Sequence, residues 1–290
     1  MPDHVIKSYR YLRIAIVALV VFLGAALWRE HSLQANGCWE VSISSYFHTP
    51  ARGVFVACLV AIGVCLIVLR GNTDLEDSAL NLSGMLAFVV AFVPTLATSV
   101  CHPVALGPAE EATTRANVAN NVWALLVVGV LALGFVGYLI VGSWRGRDAA
   151  GRRALRPILA GYAVAVVAVG VGAWVFAGRR DLLLDRGHDV AAVTMFIGIV
   201  VVVFANALHL GRRKAGGSAP GAVAAAARTP YAVIGVVMAL TLAGVLVLAF
   251  TGLGGPQFIL WVEVVLIGEF AIFWVVQTRE LWDEGLRDGG

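Results

Sequence analysis

The chain has 290 residues, of which 60% are hydrophobic and 13% are charged, and its mean hydropathy is +0.86. Soluble domains are usually about half apolar and about a quarter charged, so this composition excludes an ordinary soluble protein. The net charge of +3 is too small to indicate a nucleic-acid partner. Lysine is rare, whereas Ala, Val, Gly and Arg are abundant, which favours a bacterial source.

Long apolar runs predict an all-α polytopic bundle, because about 20 apolar residues cross a bilayer and backbone polar groups in lipid must bond within a helix. The first run follows Lys7, Arg10 and Arg13 without a small-residue cleavage site, so it predicts a retained span and not a signal peptide. Eight runs qualify as spans of a single transmembrane domain: 11–28, 53–70, 82–100, 121–143, 157–177, 189–209, 230–251 and 257–278.

The distribution of Lys and Arg predicts that both termini are cytoplasmic. In that orientation 15 of the 21 basic residues lie on the inner side, as the positive-inside rule requires. We therefore expect a multi-pass protein of the bacterial inner (plasma) membrane. The inner segment 210–229 is rich in Gly and Ala, which predicts a flexible cytoplasmic linker whose Ala run could form a short helix.

Segment 38–52 leads into the second predicted span at the outer face. Its alternation of polar and apolar residues predicts an extended stretch along the membrane surface, and Thr49-Pro50 predicts the start of the next helix. Cys38 and Cys101 both fall at this face, where disulfides persist. A disulfide between them is one expectation, and two free thiols or a metal-binding pair are the alternatives.

Polar side chains from three separate segments belong to the same face and predict an outward-facing pocket. A purely structural loop is the alternative interpretation. Histidine and carboxylate are good zinc ligands, but the sequence has no HxxH or HxxxH spacing. We therefore predict no metal or other cofactor, with a metal at the outer-face histidines as the alternative. The predicted pocket residues are Glu40, Ser44, Tyr46, His48, His102 and His188.

The last predicted span carries two carboxylates, Glu263 and Glu269, about 9 and 18 Å below its outer end at roughly 1.5 Å per residue. A carboxylate is costly within the membrane, so these residues favour a functional site over a purely structural hydrogen bond. Six residues of separation place them about 120° apart around the helix, too far for one tight pair. The predicted intramembrane site comprises Glu263, Glu269, Asn206 and Thr95, with Thr241 and His188 as further candidate partners.

Three stretches carry a resemblance to a known family. They are Ile43-Ser-Ser-Tyr46 with Thr49-Pro50 and Val54-Phe55, His188 with the small residues after it up to Phe196, and Glu263 with Phe270, Phe273-Trp274 and Gln277. Together they resemble the DRAM/FRAG-like multi-span membrane proteins and their uncharacterised bacterial relatives. The resemblance implies a helical membrane protein connected with lipid remodelling or membrane trafficking, in a family whose members usually have six spans.

A second resemblance involves Trp39-Glu40 and the spacing Ser44-x-x-x-His48. These residues look like elements of the ceramidase-like membrane hydrolases, in which zinc-bound water attacks a lipid amide or ester. The resemblance implies that His48 would be a metal ligand and that Glu40 or Ser44 would be a polarising group. The HxxxH motif of those enzymes is not present in the sequence.

Three functions follow from these features. The first is binding of a lipid or small amphiphile in an outward-facing intramembrane cavity. The second is transport, with Glu263 and Glu269 as protonatable or cation sites, and the third is metal-dependent hydrolysis of lipid. Membrane lipids are the expected partners, with other membrane proteins or a second copy of the chain as further options.

Overall fold

The computed structural model describes residues 3–34, 37–95, 101, 108–145, 147–148, 151, 155–216, 219–251, 255 and 257–287, with only the backbone at 108–111, 219–220 and 249–250. All regular structure in these residues is helical. The elements in chain order are α1 (Asp3–Leu33), a 3-10 helix (Ser44–His48), α2 (Arg52–Val68), α3 (Asp74–Phe92), α4 (Pro108–Trp144), α5 (Arg156–Gly178), α6 (Arg180–Lys214), α7 (Ala219–Ala226), α8 (Pro230–Thr251) and α9 (Phe258–Glu280).

The helices have the length and surface of a membrane bundle. Seven of the described helices are long and apolar enough to cross a membrane, and α2 is a shorter apolar helix of 17 residues. Large apolar side chains point outward along α4, where Leu131 is 68% exposed and Phe135 is 64% exposed. Such a surface is stable in lipid and not in water. The prediction of an all-α, membrane-embedded bundle is therefore confirmed for the described residues.

Six helices form a closed ring. Each of α1, α2, α3, α6, α8 and α9 packs against the next, and α9 returns to α1. The helices α4 and α5 pack against each other and lie outside the ring against α3. Small residues allow close approach within the ring: a Cβ atom on Gly84 would lie 2.7 Å from the Gly63 carbonyl oxygen, and one on Gly198 would lie 2.2 Å from the Ser83 hydroxyl.

The bundle has two distinct ends. At one end Cys38 and Cys101 form a disulfide bond with their Cα atoms 5.6 Å apart, and we call this the disulfide end. At the other end the first turns of α1 contact the residues after α9, since Arg13 donates a hydrogen bond to the Gly285 carbonyl oxygen at 2.7 Å. Because the first and the last described residues of the chain lie toward this end, we call it the terminal end.

Helix α3 begins and ends earlier than the sequence predicts. The third span was expected at 82–100, but α3 begins at Asp74 and ends at Phe92, two residues before Pro94. Its polar first turn is stabilised by the Thr73 side chain, which accepts a hydrogen bond from the Glu76 backbone N–H at 3.2 Å. The mean hydropathy of the sequence is low at this turn because three of its residues are acidic, so the predicted span began later.

The segment 210–229 is not a free linker in its described part. Helix α6 continues to Lys214, and α7 packs closely against it. A Cβ atom on Gly211 would lie 2.4 Å from the Ala222 carbonyl oxygen, and Ala222 and Ala226 are buried. The Ala run therefore forms the short helix allowed by its composition, and the small side chains let it lie directly on α6.

Candidate functional site

The segment 38–51 is tied to the bundle at several points. The His31 and Trp39 rings stack with centroids 3.7 Å apart, and Trp39 also contacts Trp261 of α9. The Leu260 backbone N–H donates to the Val41 carbonyl oxygen at 3.0 Å. Together with the disulfide, these contacts hold the segment over the mouth of the helix ring.

Residues 44–48 of this segment form a 3-10 helix, and not the extended stretch that the sequence predicts. The Ser42 hydroxyl lies 2.8 Å from the Ser45 hydroxyl and also accepts from the Ser45 backbone N–H, which closes the first turn. The start of α2 also differs from the prediction. Thr49 hydrogen-bonds to the Tyr46 carbonyl and to the Ala51 N–H, and the helix begins at Arg52. Ser and Thr side chains commonly form such local hydrogen bonds, and here these bonds stabilise turns in place of an extended backbone.

Three polar side chains from distant parts of the sequence meet beneath this segment. His188 Nε2 lies 2.7 Å from the Ser44 hydroxyl oxygen, and its Nδ1 lies 2.7 Å from the Val93 carbonyl oxygen. The Glu263 carboxylate accepts from the Ile43 backbone N–H at 2.5 Å and also interacts with the Ser44 side chain. We call Ser44, His188 and Glu263 the polar trio.

The geometry fixes the roles of the His188 nitrogens. A carbonyl oxygen can only accept, so Nδ1 carries a proton and donates it to Val93. In the neutral imidazole Nε2 is then an acceptor to which the Ser44 hydroxyl can donate, and the Glu263 carboxylate is a second acceptor for the same proton. This orientation allows His188 to remove a proton from Ser44.

An apolar cavity of about 70 Å³ lies inside the ring directly below the polar trio. All three polar side chains form part of its wall, and the remaining wall is almost entirely aliphatic and aromatic. The wall is suited to hydrocarbon and has one polar end, and the volume of about 70 Å³ is smaller than the roughly 300–1,000 Å³ of typical ligand pockets. The apolar wall comprises Val20, Leu23, Ile43, Phe55, Leu59, Ile62, Leu66, Val90, Ala192, Met195, Phe196, Ile199, Ile267 and Phe270.

The other residues of the predicted outer pocket do not all belong to the site formed by the trio. Tyr46 and Glu40 are each 1% exposed, and burial raises the pKa of Tyr46 to about 12. His48 is on the opposite side of the 3-10 helix, where its Nε2 binds the Thr95 carbonyl oxygen at 3.0 Å. The structure thus separates His48 from His188. His102 lies outside the described residues.

The predicted intramembrane site is not a single site. Glu269 accepts a hydrogen bond from Thr241 of α8 at 2.9 Å, whereas Glu263 is bonded to the segment at the disulfide end. Asn206 lies at the terminal end, and Thr95 contributes its carbonyl to His48. The helical spacing had predicted two faces for the glutamates, but it could not show how far apart the four residues lie.

Metal ligation has little geometric support within the described part of the chain. No group of three or more His, Cys, Asp or Glu side chains is arranged there to hold a metal ion. Both ring nitrogens of His188 are engaged in hydrogen bonds, and so is Nε2 of His48.

A second polar cluster, at the terminal end, was not predicted. Arg287 follows the last helix, and its side chain is fully buried. It donates to Glu280 at 2.6 and 3.0 Å and to the Asn206 side-chain oxygen at 2.6 Å. Asn206 in turn donates to Glu76 at 2.8 Å, and Tyr231 donates to Glu280. We call this group the Arg287 cluster.

Arg287 stays charged although its side chain is buried. Burial lowers the pKa of Arg287, but the hydrogen bonds and the charge of Glu280 outweigh this effect and raise the pKa above its usual value. The only indication of this cluster in the sequence was that two polar residues, Asn206 and Gln277, lie near the inner ends of their predicted spans. Nothing in the sequence indicates that a residue close to the C-terminus folds back between the helices.

No protein-family model matches the chain, and neither the curated proteins nor the solved structures include a significant match.

Proposed function

We propose that this chain is a multi-pass protein of the bacterial inner membrane that binds a lipid or small amphiphile in the cavity of its helix ring. The apolar part of the ligand lies in the cavity, and its polar group is held by the trio Ser44, His188 and Glu263. The observation that carries the proposal is the position of these three polar groups at one end of an otherwise apolar cavity.

The same proposal includes eight crossings, with α2 as the eighth, and cytoplasmic termini. The distribution of basic residues supports this orientation, and the disulfide end then faces the oxidising side of the membrane. The cavity would be reached from outside. The short length of α2 is compatible with a crossing because the 3-10 helix continues the chain above it.

A family relationship also belongs to the proposal. The three stretches that resemble the DRAM/FRAG-like proteins supply Ser44, His188 and Glu263, one residue each. The structure brings these three residues into contact. The six-helix ring has the span number usual for that family, with α4 and α5 as additional helices outside it.

Filling the cavity tests amphiphile binding. Ala192 lines the cavity, so Ala192→Phe places a ring in the ligand's path, whereas Ala163→Phe adds the same ring on the exposed face of α5. We expect lipid that co-purifies with the wild type and with Ala163→Phe, and little or none with Ala192→Phe. Mass spectrometry of the purified, folded proteins measures this. Equal lipid in the two variants would overturn the proposal.

Hydrolysis of a lipid ester is a second candidate function, favoured by one specific observation. The Ser44 hydroxyl lies 2.7 Å from a nitrogen of a histidine whose other nitrogen is fixed by a backbone carbonyl, and a serine beside an oriented base can be activated as a nucleophile. Ser44 Oγ would attack the ester carbonyl carbon as His188 Nε2 takes the hydroxyl proton. The alcohol would leave with that proton, and water would then release the acid from Ser44.

A further inference from the structure

A second cavity, of about 320 Å³, lies on the opposite side of the 3-10 helix from the polar trio. It is bounded by the 3-10 helix, the start of α2, the end of α3 and the first half of α4. At about 30 Å³ per water it has room for roughly ten water molecules. We call it the Arg52 pocket, and its described lining is Phe47, His48, Thr49, Arg52, Phe92, Thr113, Thr114, Asn117, Val118 and Asn121.

Arg52 is an exposed residue on the wall of this pocket, and its guanidinium stacks on a phenylalanine ring. Its guanidinium carbon lies 4.1 Å from the centroid of the Phe47 ring. Stacking occupies one face of the guanidinium and leaves the N–H groups at its edge able to donate in the plane. No carboxylate among the described residues lies within ion-pair distance of Arg52. An arginine in this state can bind an oxyanion through two N–H groups at once.

The opposite wall is a polar stripe on α4. Thr113, Asn117 and Asn121 follow one another at intervals of four residues and therefore share one face of the helix. The carboxamide groups of Asn117 and Asn121 can donate to the oxygens of an anion that Arg52 neutralises.

We propose that the Arg52 pocket binds a phosphate group, carried either by the headgroup of an anionic lipid or by a soluble phosphate compound. A planar guanidinium matches two phosphate oxygens, and the pocket offers neutral donors for the others. This site is distinct from the ring cavity, because Phe47, His48 and Thr49 face the pocket while Ile43 and Ser44 face the cavity. It therefore goes beyond the proposed amphiphile site.

The test compares three variants of the full chain. Arg52→Gln removes the charge, Asn117→Leu removes a donor from the opposite helix, and Arg29→Gln is a matched control that removes an exposed arginine at the same end. Thermal unfolding shows that each variant is folded. In one arm, inorganic phosphate is titrated into detergent-purified protein. In the other, the protein is placed in nanodiscs of equal parts phosphatidylglycerol and phosphatidylcholine, and bound lipid is counted by native mass spectrometry.

We expect affinity for phosphate, or enrichment of phosphatidylglycerol, to fall about tenfold or more in Arg52→Gln, to fall in Asn117→Leu and to be unchanged in Arg29→Gln. A response in the nanodiscs alone identifies a lipid headgroup, and a response to inorganic phosphate alone identifies a soluble ligand. No binding in either arm, or an equal loss in Arg29→Gln, would overturn the proposal. Because Ala192→Phe does not touch this pocket, failure here is distinguishable from failure of amphiphile binding.

Discussion

Replacing Arg287 with methionine is expected to lower the free energy of unfolding by about 1.5–3 kcal/mol, the cost of losing hydrogen bonds to a charged group, because Arg287 is fully buried while the Glu280 side chain is 30% exposed. The substitution leaves the Glu280 carboxylate without its two hydrogen bonds from Arg287 and removes a donor from Asn206. Methionine has a similar length, so the loss reports mainly the charge and the hydrogen bonds. Unfolding of the detergent-solubilised protein by heat or denaturant measures the change.

Arg10→Met is the matched control for this prediction. Arg10 is also paired with an acidic residue at the terminal end, but its side chain is 23% exposed and that of its partner Asp283 is 89% exposed. Exposed pairs of this kind contribute at most about 1 kcal/mol. The double variant Arg287→Met/Glu280→Gln should recover part of the loss, because it removes the unpaired charge. Equal effects of Arg10→Met and Arg287→Met would show that the cluster does not hold the C-terminal residues in place.

Ser44 is expected to react with a long-chain fluorophosphonate if the second candidate function is correct. In this reaction the Ser44 oxygen forms a bond to phosphorus, fluoride leaves, and His188 Nε2 takes the hydroxyl proton. Replacing Ser44 with alanine should abolish labelling. His188→Gln should slow it by about 10²–10⁴-fold, the usual contribution of a general base. Mass spectrometry of the labelled peptide and the time course of labelling measure both effects.

Ser42→Ala is the matched control for the labelling experiment. Ser42 is also buried and lies two residues from Ser44, but its hydroxyl bonds to Ser45 and not to a histidine. Its removal should leave labelling of Ser44 largely unchanged. Absence of labelling in the wild type, or the same labelling in Ser44→Ala, would rule out Ser44 as a nucleophile. Amphiphile binding would then stand or fall on the Ala192→Phe experiment.

The sequence predicted the helical class well because its apolar runs are long enough to determine the structure locally. It could not predict the start of α3, since Glu76 and Asp77 are polar but find partners within the protein. It also could not predict the Arg287 cluster. That cluster forms because the chain after α9 turns back between α3, α6 and α8. Local periodicity in the sequence predicts helices but does not predict such a long-range contact.

The arrangement of the polar trio could also be predicted only in part from the sequence. The side of the membrane assigned to Ser44, His188 and Glu263 follows from the order of the spans, so their presence at one end was predictable. Their contact is not, because it depends on the rotation of α6 and α9 and on the turn at Ser44. The neighbouring residue His48 has similar chemistry, yet the 3-10 helix directs it to the other side, against Thr95.

The most direct test of amphiphile binding is a density map of the wild-type protein purified from its own membrane in lipid nanodiscs. We predict elongated density in the ring cavity between Phe196 and Phe270, with its polar end against Ser44 and Glu263. The same map of Ala192→Phe should show the cavity filled by the new ring. A wild-type cavity that is empty, or that is closed by its own side chains, would contradict the proposed binding of an amphiphile.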